Sequence, residues 1–317
     1  MLKESWMSLK TQVIINPESN KGRTRKRWRH IKEALHTFLK EFKYEFTEKP
    51  SQAIDISRAA IKDGSELIVA VGGDGTINEI ANGFFDGKTL INPRTVMGIV
   101  PSGTGCDFIR SLNIPTNLKS ALQVIIQAPS PAIDVGRARF LTHGGTFEER
   151  YFLNVADFGF GGEVIDRMNQ NRAKRKTASY LKSTLATFFR YKNKRIKIKI
   201  DGEEIPRDEY LIGAISNGRI FGKGMKIAPY AQLDDEFFDI ILVKGMKVWE
   251  FFRNVWKIYA GTHLSHPKIS FIRGKKIETF PEFPDEDILI EVDGEQVGKL
   301  PATFEIVPRS ISVKGYV

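Results

Sequence analysis

The sequence predicts an open α/β domain, a mostly parallel sheet with helices on both faces, followed by a mainly antiparallel β domain of sandwich type. Three observations predict it. From Gln12 to about Ile133, short apolar runs alternate with amphipathic helical segments, the signature of parallel strands joined by crossover helices. After Pro129 and Pro131 the rhythm changes to short strands of period two separated by turn residues. A chain of 317 residues is near the ceiling for one core, so two domains of about 130 to 180 residues are expected. The expected boundaries are 1–133 for the α/β domain, with 305–317 returning to it, and 134–304 for the β-rich domain.

The elements follow in order. Val13 to Ile15 reads as the first strand, and Trp28, Ile31, Ala34, Leu35, Phe38 and Leu39 recur at helical spacing. A second strand ends at Thr47. Ser51 is placed to cap a helix over Ala53 to Ile61. Leu67 to Val71 is a buried strand, Ile77 to Phe85 a helix, Val96 to Val100 a strand and Leu118 to Ile126 a helix. In the second half, strands are expected at Tyr151 to Ala156, Ile196 to Ile200, Tyr210 to Ser216, Asp239 to Val243, Ile269 to Ile272, Ile288 to Val292 and Thr303 to Val307. Asp201-Gly202 is a hairpin turn signal. Helical insertions are expected around Ala178 to Phe189 and Val248 to Tyr259. No repeat or low-complexity tract is present.

Composition narrows the function. A single cysteine, Cys106, forms no intrachain disulfide and excludes a Cys-rich zinc site. His263 and His266 lie close together, but without cysteines or spaced carboxylates they make no zinc site. The apolar runs are far shorter than the roughly 20 residues that cross a bilayer. Met1 to Lys10 lacks an apolar signal core, so a cytoplasmic address is expected. The 48 Lys plus Arg outnumber the 38 Asp plus Glu, giving a net charge of +10 that favours an anionic partner. Nucleic acid is the weakest candidate, because the basic clusters carry no aromatic recognition motif or helix-turn-helix signal.

The sharpest motif is Val71-Gly72-Gly73-Asp74-Gly75-Thr76-Ile77-Asn78-Glu79, between a buried strand and a helix. In an open α/β sheet such junctions lie where ligands bind. Three glycines in four positions let a phosphate approach backbone N–H groups at a helix N-terminus. Asp74 beside an anion makes sense if it holds Mg²⁺ or a water on Mg²⁺. Taken alone, the tetrapeptide serves equally as a glycine-rich turn with an aspartate cap. Neither the dinucleotide fingerprint nor a P-loop is present. A second strand-to-helix junction, Pro101-Ser102-Gly103-Thr104-Gly105-Cys106-Asp107-Phe108, repeats the theme, and a polar loop, Asn16 to Gly22, follows the first strand.

Asn16-Pro17, GGDGTINE at 72–79 and PSGTGCDFIR at 101–110 closely resemble the diacylglycerol-kinase-type lipid kinases, the family that includes sphingosine and ceramide kinases. The resemblance continues through Asn217-Gly218, the run from Phe221 to Pro229, Leu233-Asp234-Asp235 and Asp293-Gly294-Glu295, and so covers nearly the whole chain in order. It implies that Gly72, Gly73, Asp74, Gly75 and Thr76 wrap the phosphates of ATP, with Asp74 acting through Mg²⁺. It places Asn16, Thr47, Ser102, Gly103 and Thr104 in the nucleotide site. Gln232, Asp235 and Phe237 match a loop that binds a structural Mg²⁺ through one carboxylate and backbone carbonyls. Glu295 matches the proposed general base, to be brought near the γ-phosphate by closure of the second domain, although an Asp-Gly-Glu sequence also suits an ordinary hairpin turn. Cys106 stands where the family usually has Asn, which weakens both hydrogen-bonding roles of that side chain.

The implied activity is ATP-dependent phosphorylation of a hydroxyl on a diacylglycerol-like lipid. Alternatives are an NAD-kinase-like enzyme, which shares the GGDGT loop, and a noncatalytic nucleotide- or lipid-binding regulator. A lipid substrate implies reversible, peripheral work at an anionic membrane surface, and a homodimer is compatible with the resemblance. Basic clusters at Lys21 to Arg29 and at Arg172, Lys174, Arg175, Lys176 and Lys182 read either as solvated helix faces or as anion contacts. Tyr180, Leu181, Leu185, Phe188 and Phe189 form a stripe suited to a membrane or to a core. Trp249, Phe252, Trp256 and Tyr259 are expected to be buried.

Overall fold

Aliphatic runs with no polar interruption become strands covered on both faces. The computed structural model describes residues 9–173 and 187–317. The chain divides into one unit of Met1–Val135, Leu233–Asp235 and Val307–Val317, and a second of Gly136–Gln232 and Glu236–Ile306. In the first unit, β1 (Thr11–Ile15), β2 (Lys43–Phe46), β3 (Leu67–Gly72) and β6 (Val96–Pro101) pair in parallel in the order β2-β1-β3-β6. The end of β17 (Glu295–Val313) extends this sheet, with Ser312 beside Val96.

Both faces are covered by helices. From α1 (Ser19–Leu39) and α5 (Leu118–Gln127), Ile31, Leu35, Leu122 and Ile125 pack on Val13, Ile15, Val69, Val71, Val96 and Val100. The alternate strand residues Ile14, Ile68 and Ala70 are equally buried, and their strands meet α2 (Gln52–Lys62) and α3 (Asp74–Asn82). This is the arrangement that continuous apolar strands require. Helix α3 begins at Asp74, three residues earlier than the apolar spacing predicts, because the glycine loop runs straight into its first turn. It ends before Phe85, which belongs to a two-residue strand, β4 (Phe85–Asp86), paired with β5 (Thr89–Leu90).

The second unit is antiparallel. Strand β12 (Asp208–Ser216) is flanked by β9 (Val155–Gly159) and β13 (Phe238–Lys244), and β13 pairs with β14 (Ile269–Gly274). Strand β16 (Leu289–Val292) joins β9 to β17. Strand β15 (Lys276–Pro281) pairs with β17 and with β10 (Lys194–Ile200). The hairpin turn after β10 forms at Asp201-Gly202, whose φ angles are 50° and 91°, and leads to β11 (Glu203–Glu204). Phe140, Phe152, Phe158, Phe238 and Phe304 centre the core, with Phe152 and Phe238 stacked at 5.5 Å.

Several expectations are corrected. Tyr151 to Ala156 is two strands, β8 (Phe147–Phe152) and β9, because the intervening N–H groups turn to a carboxylate described below. Strand β8 pairs with β7 (Ala132–Leu141), which sequence reasoning did not anticipate. Helix α6 (Phe160–Ala173) was not anticipated from the sequence. A Cβ on Gly161 would stand 2.2 Å from an Asp157 oxygen, so close packing excludes a side chain there.

Helix α7 (Val248–Ala260) forms as expected, but Trp249, Trp256 and Tyr259 are 61%, 60% and 50% exposed. The phase of the helix turns Phe251 and Ile258 to the core instead, and the Phe252 side chain lies outside the described residues. Of the expected apolar stripe, Phe188 is buried, Phe189 is exposed, and Tyr180, Leu181 and Leu185 lie outside the described residues, as do Lys174, Arg175, Lys176, Lys182 and the Arg172 side chain. Among the described residues, no helix is long and apolar enough to cross a membrane.

Leu35 is fully buried between α1 and the sheet. Leu35→Ala is expected to lower unfolding free energy by about 2–5 kcal/mol, measured as a shift of the urea midpoint.

Candidate active site

The carboxyl ends of the parallel strands collect the polar residues that the motifs singled out. Asn16 follows β1, Thr47 follows β2, Gly72 to Thr76 leave β3, and Ser102 to Thr104 leave β6. The Asn16 amide donates to Thr76 Oγ1 at 3.0 Å and accepts from the Glu18 N–H at 3.0 Å, tying the first loop to the glycine loop. Thr47 is buried and its N–H donates to the Ile15 carbonyl at 2.8 Å. Ser19 Oγ donates to the Ser102 carbonyl at 2.9 Å, and the Thr24 and Ser102 hydroxyls meet at 2.6 Å. Thr104 is exposed.

The two glycine-rich junctions touch backbone to backbone. The Ser102 N–H donates to the Gly72 carbonyl at 2.7 Å, and a Cβ on Gly103 would stand 2.5 Å from the Gly73 Cα. Only glycines permit that approach. Asp74 then closes the second junction, its carboxylate accepting the Asp107 N–H at 3.1 Å and the Phe108 N–H at 3.2 Å. A carboxylate has about four acceptor sites, so these bonds leave Asp74 with capacity for a cation, and its oxygen donors suit Mg²⁺. Asp107 is a buried second carboxylate beside it. Sequence reasoning passed over Asp107, although its place in the second glycine-rich junction was a usable signal.

Other motif residues prove structural. Glu79 accepts the N–H groups of Ser51 at 3.0 Å and Ala53 at 3.2 Å, so it caps α2 from outside. Ser51, expected as the cap, has φ of 64° and makes no side-chain cap. The cations from Lys21 to Arg29 are exposed, Lys21 in the non-helical turn that opens α1 and the others on the helix, where Arg25 and Arg29 pair with Glu18 and Glu33. Cys106 has φ of 52°, a conformation Asn adopts more readily than Cys. Burial, with the charges of Asp74 and Asp107 adding, pushes the thiol up to about 11 despite a backbone hydrogen bond from Gly103.

In the second unit the Asp-Gly-Glu turn joins β16 to β17. Asp293 accepts three N–H groups, from Leu153 at 2.8 Å and from Asn154 and Val155 at 3.0 Å each. Asn217 donates to the Leu153 carbonyl at 2.8 Å, and Asn154 to the Ile220 carbonyl at 2.7 Å. Glu295 is part-exposed and held by Arg150 at 2.8 Å. On the same strands, Glu291 faces Asp157 across the β16–β9 ladder. Burial, chiefly, pushes Glu291 up to about 7 and raises Asp157 well above the carboxylate range, with Glu291's charge adding to the latter.

Gln232, Asp235 and Phe237 follow one another on the loop before β13, where Glu236 has φ of 65°. Phe237 lies under the Arg273 guanidinium and Lys275 ammonium, each 4.7 Å from its ring centre. Among the described residues no three His, Cys, Asp or Glu side chains converge on one point. Of the three only Asp235 carries a carboxylate; Gln232 and Phe237 would contribute backbone carbonyls, oxygen donors of the kind Mg²⁺ takes. An open groove of about 1240 Å³ beside β2 and α2, lined in part by His36, Lys40, Phe42 and Gln52, shares no residue with the glycine cradle.

Comparisons with known proteins match two successive domains along the chain. The diacylglycerol kinase catalytic domain matches residues 10–138, and the YegS C-terminal NAD kinase beta sandwich-like domain matches residues 154–315. A diacylglycerol kinase of Staphylococcus aureus (strain MRSA252) is 30% identical over 321 residues, covering 97% of this chain and 92% of its own. That of Staphylococcus carnosus is 28% identical over 314 residues, covering 97% and 95%. A crystal structure of a diacylglycerol kinase from Bacillus anthracis str. Sterne superposes with a TM-score of 0.69 at 21% identity over 96% of each chain. Yeast NADH kinase complexed with NADH shares the fold at a TM-score of 0.52 and 14% identity, over 96% of this chain and 82% of that one. The matched domains define a kinase built from an α/β catalytic domain and an NAD-kinase-like β sandwich. The chain belongs to the diacylglycerol kinase family.

Two outcomes are expected. Cys106 should resist iodoacetamide at neutral pH in the native protein and react once urea unfolds it, because burial and a raised pKa withhold the thiolate; mass spectrometry reads the adduct. The Glu291–Asp157 pair binds protons more tightly when folded. Its contribution is therefore full below the ordinary carboxylate value of 4.5 and lost as pH rises toward about 7. Glu291→Gln should flatten the fall in unfolding free energy between those values, measured by urea titrations across the range.

Proposed function

We propose that this protein transfers the γ-phosphate of ATP, with Mg²⁺, to a hydroxyl of a diacylglycerol-like lipid. The observation that carries the reading is the glycine cradle: Gly73 and Gly103 in backbone contact at the ends of β3 and β6, locked by Asp74. Backbone N–H groups and the N-terminus of α3 then offer a site for the phosphates of a nucleotide. Asn16, Thr47, Gly72 to Thr76 and Ser102 to Thr104 would line it, and Asp74 would face the cation. When bound, Mg²⁺ supplies positive charge against the phosphates. Gln232, Asp235 and Phe237 would hold a second, structural Mg²⁺ through their oxygens.

Glu295 is the proposed general base, accepting the proton of the lipid hydroxyl. The reading requires it to reach the γ-phosphate. Its support is the tightly anchored turn: Asp293 fixes the backbone through three N–H groups, and Arg150 orients the carboxylate. A plain hairpin turn has no need of that anchoring. The reaction takes place at an anionic membrane surface, to which a charge of +10 draws the protein reversibly. No proposed role falls to a second copy, so a homodimer would leave the chemistry of each chain unchanged.

The test is turnover of labelled ATP with Mg²⁺ and diacylglycerol, a total lipid extract or NAD as acceptor. A phosphorylated lipid is expected; label only in NAD would favour the pyridine-nucleotide reading, and no product at all a noncatalytic one. Glu295→Gln should lower the maximal rate by about 100- to 10,000-fold with ATP binding retained, and a loss below several-fold would make the turn structural. Asp74→Ala should abolish turnover, with circular dichroism checking the fold.

A further inference from the structure

A helix with one face on a core normally gives its other face to charged residues. Helix α7 does not. Trp249, Arg253, Trp256 and Ala260 fall at the i, i+4, i+7, i+11 spacing that places them on one side, and that side is exposed. Both indoles have most of their surface in solvent. Tyr259 flanks the stripe on one side and Lys257 on the other. The opposite side packs the partly buried Phe251 and Ile258 against the second unit's core.

The aromatic surface continues beyond the helix. The Lys226 N–H donates to the Ile258 carbonyl at 3.0 Å, and a Cβ on Gly261, the C-cap, would stand 3.3 Å from Pro229. The next residue, Tyr230, is 68% exposed and meets Phe271 of β14 edge to face at 6.4 Å. Charge is distributed to match. Glu250 is the helix's one acidic residue, and it is turned aside onto Lys268 at 2.7 Å and His266 at 3.7 Å. Arg253, Lys257 and the exposed Lys226 thus border the aromatics without an acidic residue of α7 among them.

We propose that this face of α7, with Tyr230 and Phe271 beside its C-terminal end, docks the protein on an anionic lipid membrane. Trp and Tyr combine an apolar body with a polar tip, which suits the headgroup boundary. The cations meet anionic headgroups, and the two contributions together give reversible binding without an anchor. A protein core would not need the cations, and a purely electrostatic contact would not need two exposed indoles. The proposal rests on the lipid-kinase reading only for its purpose, because docking is measurable without turnover.

The experiment uses the full chain with sucrose-loaded vesicles of phosphatidylglycerol and phosphatidylcholine, and of phosphatidylcholine alone. The wild type should sediment with the anionic vesicles, and brominated acyl chains should quench its tryptophan fluorescence. Trp249→Ala with Trp256→Ala should lower the partition coefficient by about tenfold or more while thermal unfolding stays unchanged. Arg253→Gln with Lys257→Gln should weaken binding to anionic vesicles and reduce its salt dependence. Unchanged partitioning of the folded double tryptophan variant would overturn the proposal. So would a concentration-dependent dimer in sedimentation velocity that this variant abolishes, since the face would then belong to a second copy. Turnover of a water-dispersed short-chain diacylglycerol, measured in parallel, should be equal in wild type and variant. Its absence in both, with vesicle binding intact in the wild type, would remove the kinase reading and leave the docking surface standing.

Discussion

The first unit is organised around a backbone approach so close that a Cβ on Gly103 would stand 2.5 Å from the Gly73 Cα. Gly73 and Gly103 meet at the ends of neighbouring parallel strands. The contact demands that β3 and β6 lie side by side in register, Gly72 opposite Pro101. It also demands that the two following segments diverge at once, one into α3 and one toward Asp107. Asp74 secures the divergence by binding the N–H groups of the second segment. The carboxylate proposed to face the cation therefore also holds the cradle's shape.

The second unit holds its own tight turn chiefly through one carboxylate, that of Asp293. Asp293 has φ of 46° and Gly294 of 89°, a conformation that needs external support for the aspartate. The N–H groups of Leu153, Asn154 and Val155, where β8 gives way to β9, supply it, and in exchange that break in the strands is satisfied. Asn217 and Asn154 bind the neighbouring carbonyls. The result is a rigid platform from which Glu295 projects. Nearby, Glu291 and Asp157 face each other at a desolvated ladder position, where burial raises both above the ordinary carboxylate range.

Much of the fold was legible because burial on both faces leaves a plain mark. The strands Val13 to Ile15, Leu67 to Val71 and Val96 to Val100 are uninterrupted aliphatic runs, and no other element produces that pattern next to glycine-rich junctions. Local signals also marked Asp201-Gly202 correctly. They misled where a residue type had two uses. Ser51 looked like a cap although Glu79, distant in sequence, does the capping. The tryptophans of α7 were expected inside because hydrophobic identity suggests burial; the helix phase, which depends on Phe251 and Ile258 finding the core, turned them out.

By itself the sequence determined most of the strands and helices of the first unit, where the glycine-rich junctions fall, and which motifs signal the kinase family, because periodicity and motif spacing are properties of neighbouring residues. Only the tertiary structure decided that Gly73 rests on Gly103, that Asp74 caps the Asp107 segment, that Asp293 gathers three distant N–H groups, and that α7 presents aromatics to solvent. Each of these joins residues far apart in the chain, and which partner a carboxylate or a helix face meets is set by packing, to which local sequence is blind.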